Sequence, residues 1–72
     1  MLNKGAVVQF NENHELCGSL GIIYEVKQGK DYIRYMVGVP LPMKGTAYIF
    51  ATDKENVIEY VGEALLMIGD NK

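Results

Sequence analysis

The 72-residue chain is predicted to be a single all-β domain, residues 1–72, folded as a small barrel or a tight sandwich. Three observations indicate this class. Segments rich in β-branched and aromatic residues alternate apolar and polar positions, the period of half-buried strands. Short polar or glycine-containing loops separate these segments. Finally, a chain of this length forms one domain, and closing its sheet would remove exposed strand edges.

Three strands carry the alternation most clearly. The first is predicted over residues 5–10, and a hairpin follows, made of residues 20–27 and 31–39 joined by a Gln-Gly-Lys turn. The predicted core positions are apolar and alternate along each strand: Ala6, Val8 and Phe10; Leu20, Ile22, Tyr24 and Val26; and Ile33, Tyr35, Val37 and Val39. This pattern predicts one buried face and one mixed face.

Two further strands are predicted after the hairpin. Pro40 and Pro42 cannot donate to a ladder and are expected to end the third strand. Residues 46–51 have high β propensity and are predicted as the fourth strand, and residues 64–68 as a short closing strand.

The segment between these strands has two interpretations. Thr52 and Glu55 match a helix capping box, which predicts a short helical turn near residues 53–58. Residues 57–61 are dense in β-branched and aromatic side chains, which favours a strand. The sequence leaves the choice open.

Composition limits the classes of function. The net charge is −2 and the basic residues are scattered, whereas strong nonspecific nucleic-acid binding requires a basic face. The single cysteine excludes an intramolecular disulfide. No apolar run suits a signal peptide or a membrane span, so a cytoplasmic protein without a membrane partner is expected. Because 49% of the residues are hydrophobic, some apolar surface is expected to be covered by a partner or by a second copy in a homodimer.

No catalytic or metal-binding constellation is predicted. His14 and Cys17 form His-x-x-Cys, which could be half of a metal site or a nucleophile pair, but the chain has no second His or Cys. A loop histidine and a small cysteine explain the pair better. Phosphate-binding glycine motifs are missing from the sequence as well. The chain is therefore expected to be neither an enzyme nor a cofactor protein.

Acidic residues crowd the last third of the chain. A solvated acidic face that steers a basic partner is the preferred interpretation, over carboxylates paired for acid–base catalysis. The residues are Asp53, Glu55, Glu59, Glu63 and Asp70.

The aromatic residues supply the candidate binding site. Tyr32 and Arg34 are predicted on the non-core face of the third strand, where Tyr48 or Phe50 of the fourth strand could join them. Exposed Tyr beside Arg is typical of interface hot spots and also of base-stacking surfaces. With flanking Lys30, the predicted binding residues are Lys30, Tyr32, Arg34 and Tyr48.

A resemblance adds to this interpretation. The order of residues 5–10, a polar loop, residues 18–23 and a hairpin into 35–39 resembles the SH3-like barrel superfamily. Within it, the chain resembles small proteins carried by phages and prophages of Gram-positive bacteria. The resemblance implies a five-stranded SH3-like barrel that binds proteins, peptides or nucleic acid rather than catalysing a reaction. The tryptophan pair and acidic loop of proline-peptide-binding SH3 domains are missing, so that ligand is not implied.

The expected function is therefore a non-enzymatic module for protein–protein interaction, as a phage or prophage accessory protein. Two alternatives remain. The same aromatic residues with Lys27, Lys30 and Arg34 could bind nucleic acid. The acidic face could instead block a basic site on a host enzyme.

Overall fold

The computed structural model describes residues 1–64, which form one antiparallel sheet of five strands with no helix. The order across the sheet is β4-β3-β2-β1-β5, so β4 and β5 are its edges. The strands are β1 (Ala6–Phe10), β2 (Leu20–Gln28), β3 (Ile33–Leu41), β4 (Gly45–Thr52) and β5 (Ile58–Glu63). The all-β prediction is confirmed. Among the described residues β4 and β5 do not pair, so the sheet is not closed. The closing strand predicted at 64–68 lies outside the described residues, apart from Ala64.

One face of the sheet holds the core. Val8 and Val37 are fully buried, as are Phe10 and Ile23 to within one per cent. No second layer covers this face within residues 1–64, so the sheet itself must curl around these side chains to exclude water. The buried cluster is Ala6, Val8, Phe10, Ile23, Tyr35, Val37 and Val39.

Two features show the curl. The ladder shifts register between Val7 and Val8 and again between Ile23 and Glu25, and β-bulges of this kind bend a strand and increase its twist. Thr52 at the end of β4 and Ile58 at the start of β5 then line one cavity of about 310 Å³. The two edges of the sheet therefore approach each other at this end.

The predicted core faces are confirmed for β1 and β3 but wrong for most of β2. Leu20 and Tyr24 are exposed, whereas Ile23 is buried. The bulge is the reason. Ile23 lies opposite Val37 and Glu25 opposite Met36, so Tyr24 is an extra residue and the alternation changes phase there. Only past the bulge does the predicted pattern hold, and Val26 packs against the core.

Pro40 does not end β3, which runs on to Leu41 opposite Gly45. The N–H of Asp53 donates to the carbonyl of Ile33, so the odd-numbered residues of β3 bond to β4. The nitrogen of Pro40 therefore faces the β2 side. Because the β2 ladder stops at Gly38, the proline leaves no ladder bond unmade.

The helical turn predicted near residues 53–58 does not form. Residues 53–55 make a turn, and Ile58 already belongs to β5. Half of the predicted capping box is nevertheless present, because the N–H of Thr52 donates to Oε1 of Glu55 at 2.9 Å. Asn56 then takes a positive φ of 54°, which turns the chain out of any helix. The strand interpretation of 57–61 is confirmed from Ile58 onward.

Candidate binding surface

The side of the sheet opposite the core carries an exposed aromatic surface. In β4 the small or aliphatic residues face the core, and Tyr48 and Phe50 alternate with them toward the solvent. Their side chains are 53% and 57% exposed, and Tyr24 of β2 is 41% exposed. Large aromatic residues on one sheet face are unusual without a ligand, because their burial in a core or an interface would be favourable.

Tyr24 and Tyr48 form a pair on this surface. Their ring centroids are 5.4 Å apart with an interplanar angle of 79°, an edge-to-face arrangement that aromatic pairs prefer. Gly38 lies between them, opposite Tyr48 in the ladder. A Cβ atom at Gly38 would be 2.7 Å from Cε1 of Tyr24, so the ring lies directly over the glycine. Because Gly38 has no side chain, the Tyr24 ring can occupy the space above it.

Arg34 and Phe50 form a second pair next to it. The guanidinium carbon of Arg34 is 4.8 Å from the ring centroid of Phe50, within the range of a cation–π contact. Phe50 is two residues from Tyr48 along β4, so its side chain is on the same face. We call Tyr24, Arg34, Tyr48 and Phe50 the aromatic face.

An apolar depression of about 180 Å³ lies at the other end of β2. Val7, Leu20 and Ile22 contribute to its lining, together with Gly21 and Pro40. Leu20 and Ile22 lie four and two residues before Tyr24 along β2, so the depression and the aromatic face share one side of the sheet. Its lining would suit an aliphatic side chain of a partner.

Of the four predicted binding residues, two belong to the aromatic face. Arg34 and Tyr48 lie on the predicted side of the sheet. Tyr32 precedes β3 and packs in the β2–β3 turn, where its carbonyl accepts the N–H of Gly29 at 2.7 Å. Lys30 is exposed in the same turn. Tyr32 and Arg34 nevertheless line one depression of about 180 Å³, so Tyr32 borders the aromatic face from the turn.

The sequence assigned Tyr24 to the core. An unbroken period of two through residues 20–27 put it there, and the bulge moved it to the opposite face. A glycine at position 38 in the neighbouring strand is the signal that could have indicated it, because a strand glycine often marks a close approach. Phe50 was considered beside Tyr48, and the structure places it there with Arg34 against its ring.

The His14 side chain packs within the β1–β2 loop, whereas the Cys17 side chain is exposed. The His14 ring packs on Phe10 with centroids 4.6 Å apart, and its Nδ1 accepts the N–H of Leu16 at 3.0 Å. Cys17 is exposed, and its N–H donates to the carbonyl of His14. Within residues 1–64 no group of three or more His, Cys, Asp or Glu side chains is placed to hold a metal ion.

The acidic residues of the last third are spread over separate local bonds. Asp53 accepts the N–H of Ile33 through Oδ1 at 3.0 Å. Glu55 accepts the N–H of Thr52, and Glu59 contacts Asn11 at 3.4 Å. Each of these bonds ties a loop or an edge strand to its neighbour. Asp70 lies outside the described residues.

Tyr60 has a raised pKa, caused chiefly by a carboxylate on its own strand. Its hydroxyl donates to Oε2 of Glu63 at 2.7 Å. This hydrogen bond, with smaller contributions from burial and from the charge of Glu63, raises the pKa of Tyr60 above its ordinary value. Tyr60 lies opposite Val8 in the ladder, on the core side of edge strand β5, away from the aromatic face.

No family model, curated protein or solved structure matches this chain. Over residues 1–64 the fold offers no helix that could cross a membrane. The surface itself is therefore the basis on which a function can be inferred.

Proposed function

We propose that the protein is a non-enzymatic binding module that contacts a protein partner through the aromatic face. The observation that carries the proposal is the exposure of Tyr24, Tyr48 and Phe50 together on one side of a sheet whose other side holds the core. Side chains that neither fill the core nor bind a ligand would be expected to be polar. Tyr and Arg are also among the residues most enriched in interface hot spots.

The aromatic face is organised before any partner binds. Tyr24 is held over Gly38 and against Tyr48, and Arg34 lies on Phe50. Rigid aromatic side chains lose little conformational entropy on association, which favours affinity. The neighbouring apolar depression would accept an aliphatic anchor from the same partner. These features together suit an apolar protein surface with a polar rim.

An SH3-like barrel is the architecture we propose for this module. The first strand lies between β2 and β5, two bulges bend the sheet, and its edges share a cavity. These features support a sheet rolled most of the way around its core. The resemblance to phage and prophage proteins remains part of the proposal, with an accessory role in a phage–host interaction.

Affinity capture tests the proposed function. The protein is immobilised and exposed to a lysate of the cells that encode it, in parallel with a Tyr48→Ala/Phe50→Ala variant. The variant should keep the far-ultraviolet circular dichroism of the parent, because both side chains lie outside the core. Proteins retained by the parent should be lost from the folded variant. Equal retention by both proteins would contradict the proposal.

One observation favours a second candidate, nucleic-acid binding. Lys27 lies directly opposite Arg34 in the β2–β3 ladder, so a second cation neighbours the one that contacts the Phe50 ring. Cations next to an aromatic ring can bind phosphate while a base stacks. Titration of labelled single- and double-stranded oligonucleotides in about 50 mM salt separates the two candidates, because phosphate contacts are strong there. Binding that the Lys27→Ala/Arg34→Ala variant abolishes would favour this second candidate.

A further inference from the structure

We propose that β4 is a dimerisation strand, which pairs antiparallel with β4 of a second copy through the backbone groups of Thr46, Tyr48 and Phe50. This inference does not depend on the proposed function, because it concerns the edge of the sheet and not its aromatic face. It follows from the direction of the backbone groups, from the neutrality of the strand and from the contrast with the opposite edge.

The β3–β4 ladder shows which backbone groups of β4 point away from the sheet. Asp53 donates its N–H to Ile33 at 3.0 Å, and these two residues continue the register in which Ala51 lies opposite Tyr35. In an antiparallel pair the bonded positions alternate along the strand. The odd-numbered residues of β4 therefore bond to β3. The even-numbered residues direct their N–H and C=O groups to the open edge: Thr46, Tyr48, Phe50 and Thr52.

The outward groups of Thr52 already have hydrogen-bond partners within the chain. Thr52 donates its N–H to the Glu55 carboxylate at 2.9 Å, and its carbonyl accepts the N–H of Glu55 at 3.2 Å. The outward groups of Thr46, Tyr48 and Phe50 have no bonding partner among the residues that the structure describes. The open edge is therefore the segment 46–50, with three successive outward positions.

The two edges of the sheet differ in their protection. Gly45–Thr52 contains no charged residue and no proline, whereas β5 carries Glu59 and Glu63 and a bulge. Charges, prolines and bulges are the features by which edge strands avoid pairing with other chains. β4 has none of them. A neutral strand is also electrostatically compatible with itself, since two copies bring no like charges together.

One antiparallel register uses all three open positions. Tyr48 lies opposite Tyr48 of the second copy, and Thr46 lies opposite Phe50 of the second copy. Each of the three residues then donates one hydrogen bond and accepts one, and a two-fold axis passes through the Tyr48 pair. Opposed residues share a face, so the two aromatic faces become continuous across the dimer.

The last residue that the structure describes lies at the β5 edge of the sheet and not at β4. Ala64 donates its N–H to Gly5, beside β1 and at the β5 edge of the strand order. β4 is the opposite edge. Segment 46–50 is neutral and its three outward positions are symmetric about Tyr48, so a second copy can bond to all three, which is why we choose it as the occupant.

Amide hydrogen exchange read residue by residue tests the pairing without any substitution. The full chain is compared at about 10 μM and about 1 mM, a range that brackets weak interfaces of small area. At the higher concentration, light scattering should show a dimer, and the amides of Thr46, Tyr48 and Phe50 should gain protection of tenfold or more. The amides of Ala47, Ile49 and Ala51 should be protected at both concentrations, because they bond to β3.

A matched pair of variants supplies the second test. Thr46→Pro removes an outward donor from each copy without touching the β3–β4 ladder, whereas Thr46→Val keeps the N–H. We expect the proline variant to raise the dimer dissociation constant about tenfold or more and the valine variant to leave it nearly unchanged. Both variants keep the aromatic face, so loss of dimerisation would not by itself remove partner capture.

Several results would overturn the inference. A monomer throughout the concentration range would do so. Protection of the even-numbered amides that does not depend on concentration would assign the edge to residues 65–72 instead. Protection of these amides that appears only when a captured protein is bound would show that this partner, and not a second copy, pairs with the β4 edge. If the proline variant fails to fold, the exchange pattern of the unsubstituted protein still decides the question.

Discussion

A Cβ atom at Gly38 would lie 2.7 Å from Cε1 of Tyr24, so the glycine allows the tyrosine ring to rest on the sheet and meet Tyr48. The tyrosine is an exposed residue of a bulge, and the glycine lies in the middle of the neighbouring strand. The arrangement links backbone geometry to the aromatic face, because one missing side chain positions two others.

Gly38→Ala should displace side chains of the aromatic face but should change the free energy of unfolding only slightly. The three nearest atoms to the added Cβ all belong to the Tyr24 ring, which can swing into solvent. We expect the free energy of unfolding to change by less than about 1 kcal/mol. The near-ultraviolet circular dichroism should fall to the level of a Tyr24→Leu variant. An unchanged aromatic signal would show that the position of the Tyr24 ring does not depend on the glycine.

Gly21→Ala is the matched substitution on the opposite face and should be strongly destabilising. Its Cβ would lie 2.5 Å from Cγ1 of Val37, which is fully buried, and 3.0 Å from the carbonyl oxygen of Gly38. Neither atom can move without repacking the core. We expect a loss of about 1–3 kcal/mol, measured by urea unfolding. A stability equal to that of the parent would mean that the core is looser than described.

The contact between Arg34 and Phe50 should appear as a coupling energy in the free protein. A double-mutant cycle with Arg34→Ala and Phe50→Leu isolates the pair. Because both side chains are at least partly exposed, we expect a coupling of about 0.5–1 kcal/mol. The control cycle pairs Arg34→Ala with Tyr60→Leu, on the other side of the sheet, and should give additive effects. Additive effects in both cycles would show that Arg34 and Phe50 do not stabilise each other.

The Tyr60–Glu63 hydrogen bond predicts a pH effect in the alkaline range. The bond favours the neutral phenol, so the pKa of Tyr60 is higher in the folded than in the unfolded chain. Its contribution to stability is complete below the unfolded pKa and is lost as the pH rises through the folded pKa. Glu63→Gln should lower the pKa of Tyr60.

The difference in phenolate absorbance between the parent and a Tyr60→Phe variant isolates this residue from the other four tyrosines. The same difference is then measured in the Glu63→Gln background. A midpoint that stays in place after the substitution would show that Glu63 does not hold the proton on Tyr60.

The sequence predicted the strands well because each strand repeats a simple physical pattern. In β1 and β3 the alternation runs without interruption, and Val8 and Val37 are buried as expected. In β2 a single extra residue at Tyr24 reversed the faces, and nothing in the local composition distinguishes a bulged strand from a regular one. A register shift depends on how the strand pairs with a strand that is distant in the sequence, and the local residue pattern holds no information about that pairing.

The same dependence on pairing with distant residues explains which of the predicted binding residues lie where the sequence placed them. Arg34 and Tyr48 follow from alternation alone and lie where expected. Tyr32 was counted as part of the strand, but the backbone bond between Gly29 and the Tyr32 carbonyl places it in the turn. Thr52 and Glu55 illustrate the opposite case. Their predicted contact forms, but within a turn rather than a helix, because strand pairing takes over at Ile58.

A comparison of Tyr48→Ala with Tyr60→Ala tests whether the aromatic face is the binding surface. Both tyrosines are 53% exposed, but they lie on opposite sides of the sheet. The measurement is the affinity of each variant for the captured partner, by titration calorimetry. We expect Tyr48→Ala to lose about 2 kcal/mol or more of binding free energy, the size of a hot-spot residue, and Tyr60→Ala to keep a nearly unchanged affinity. Equal losses, or a larger loss for Tyr60→Ala, would contradict this expectation.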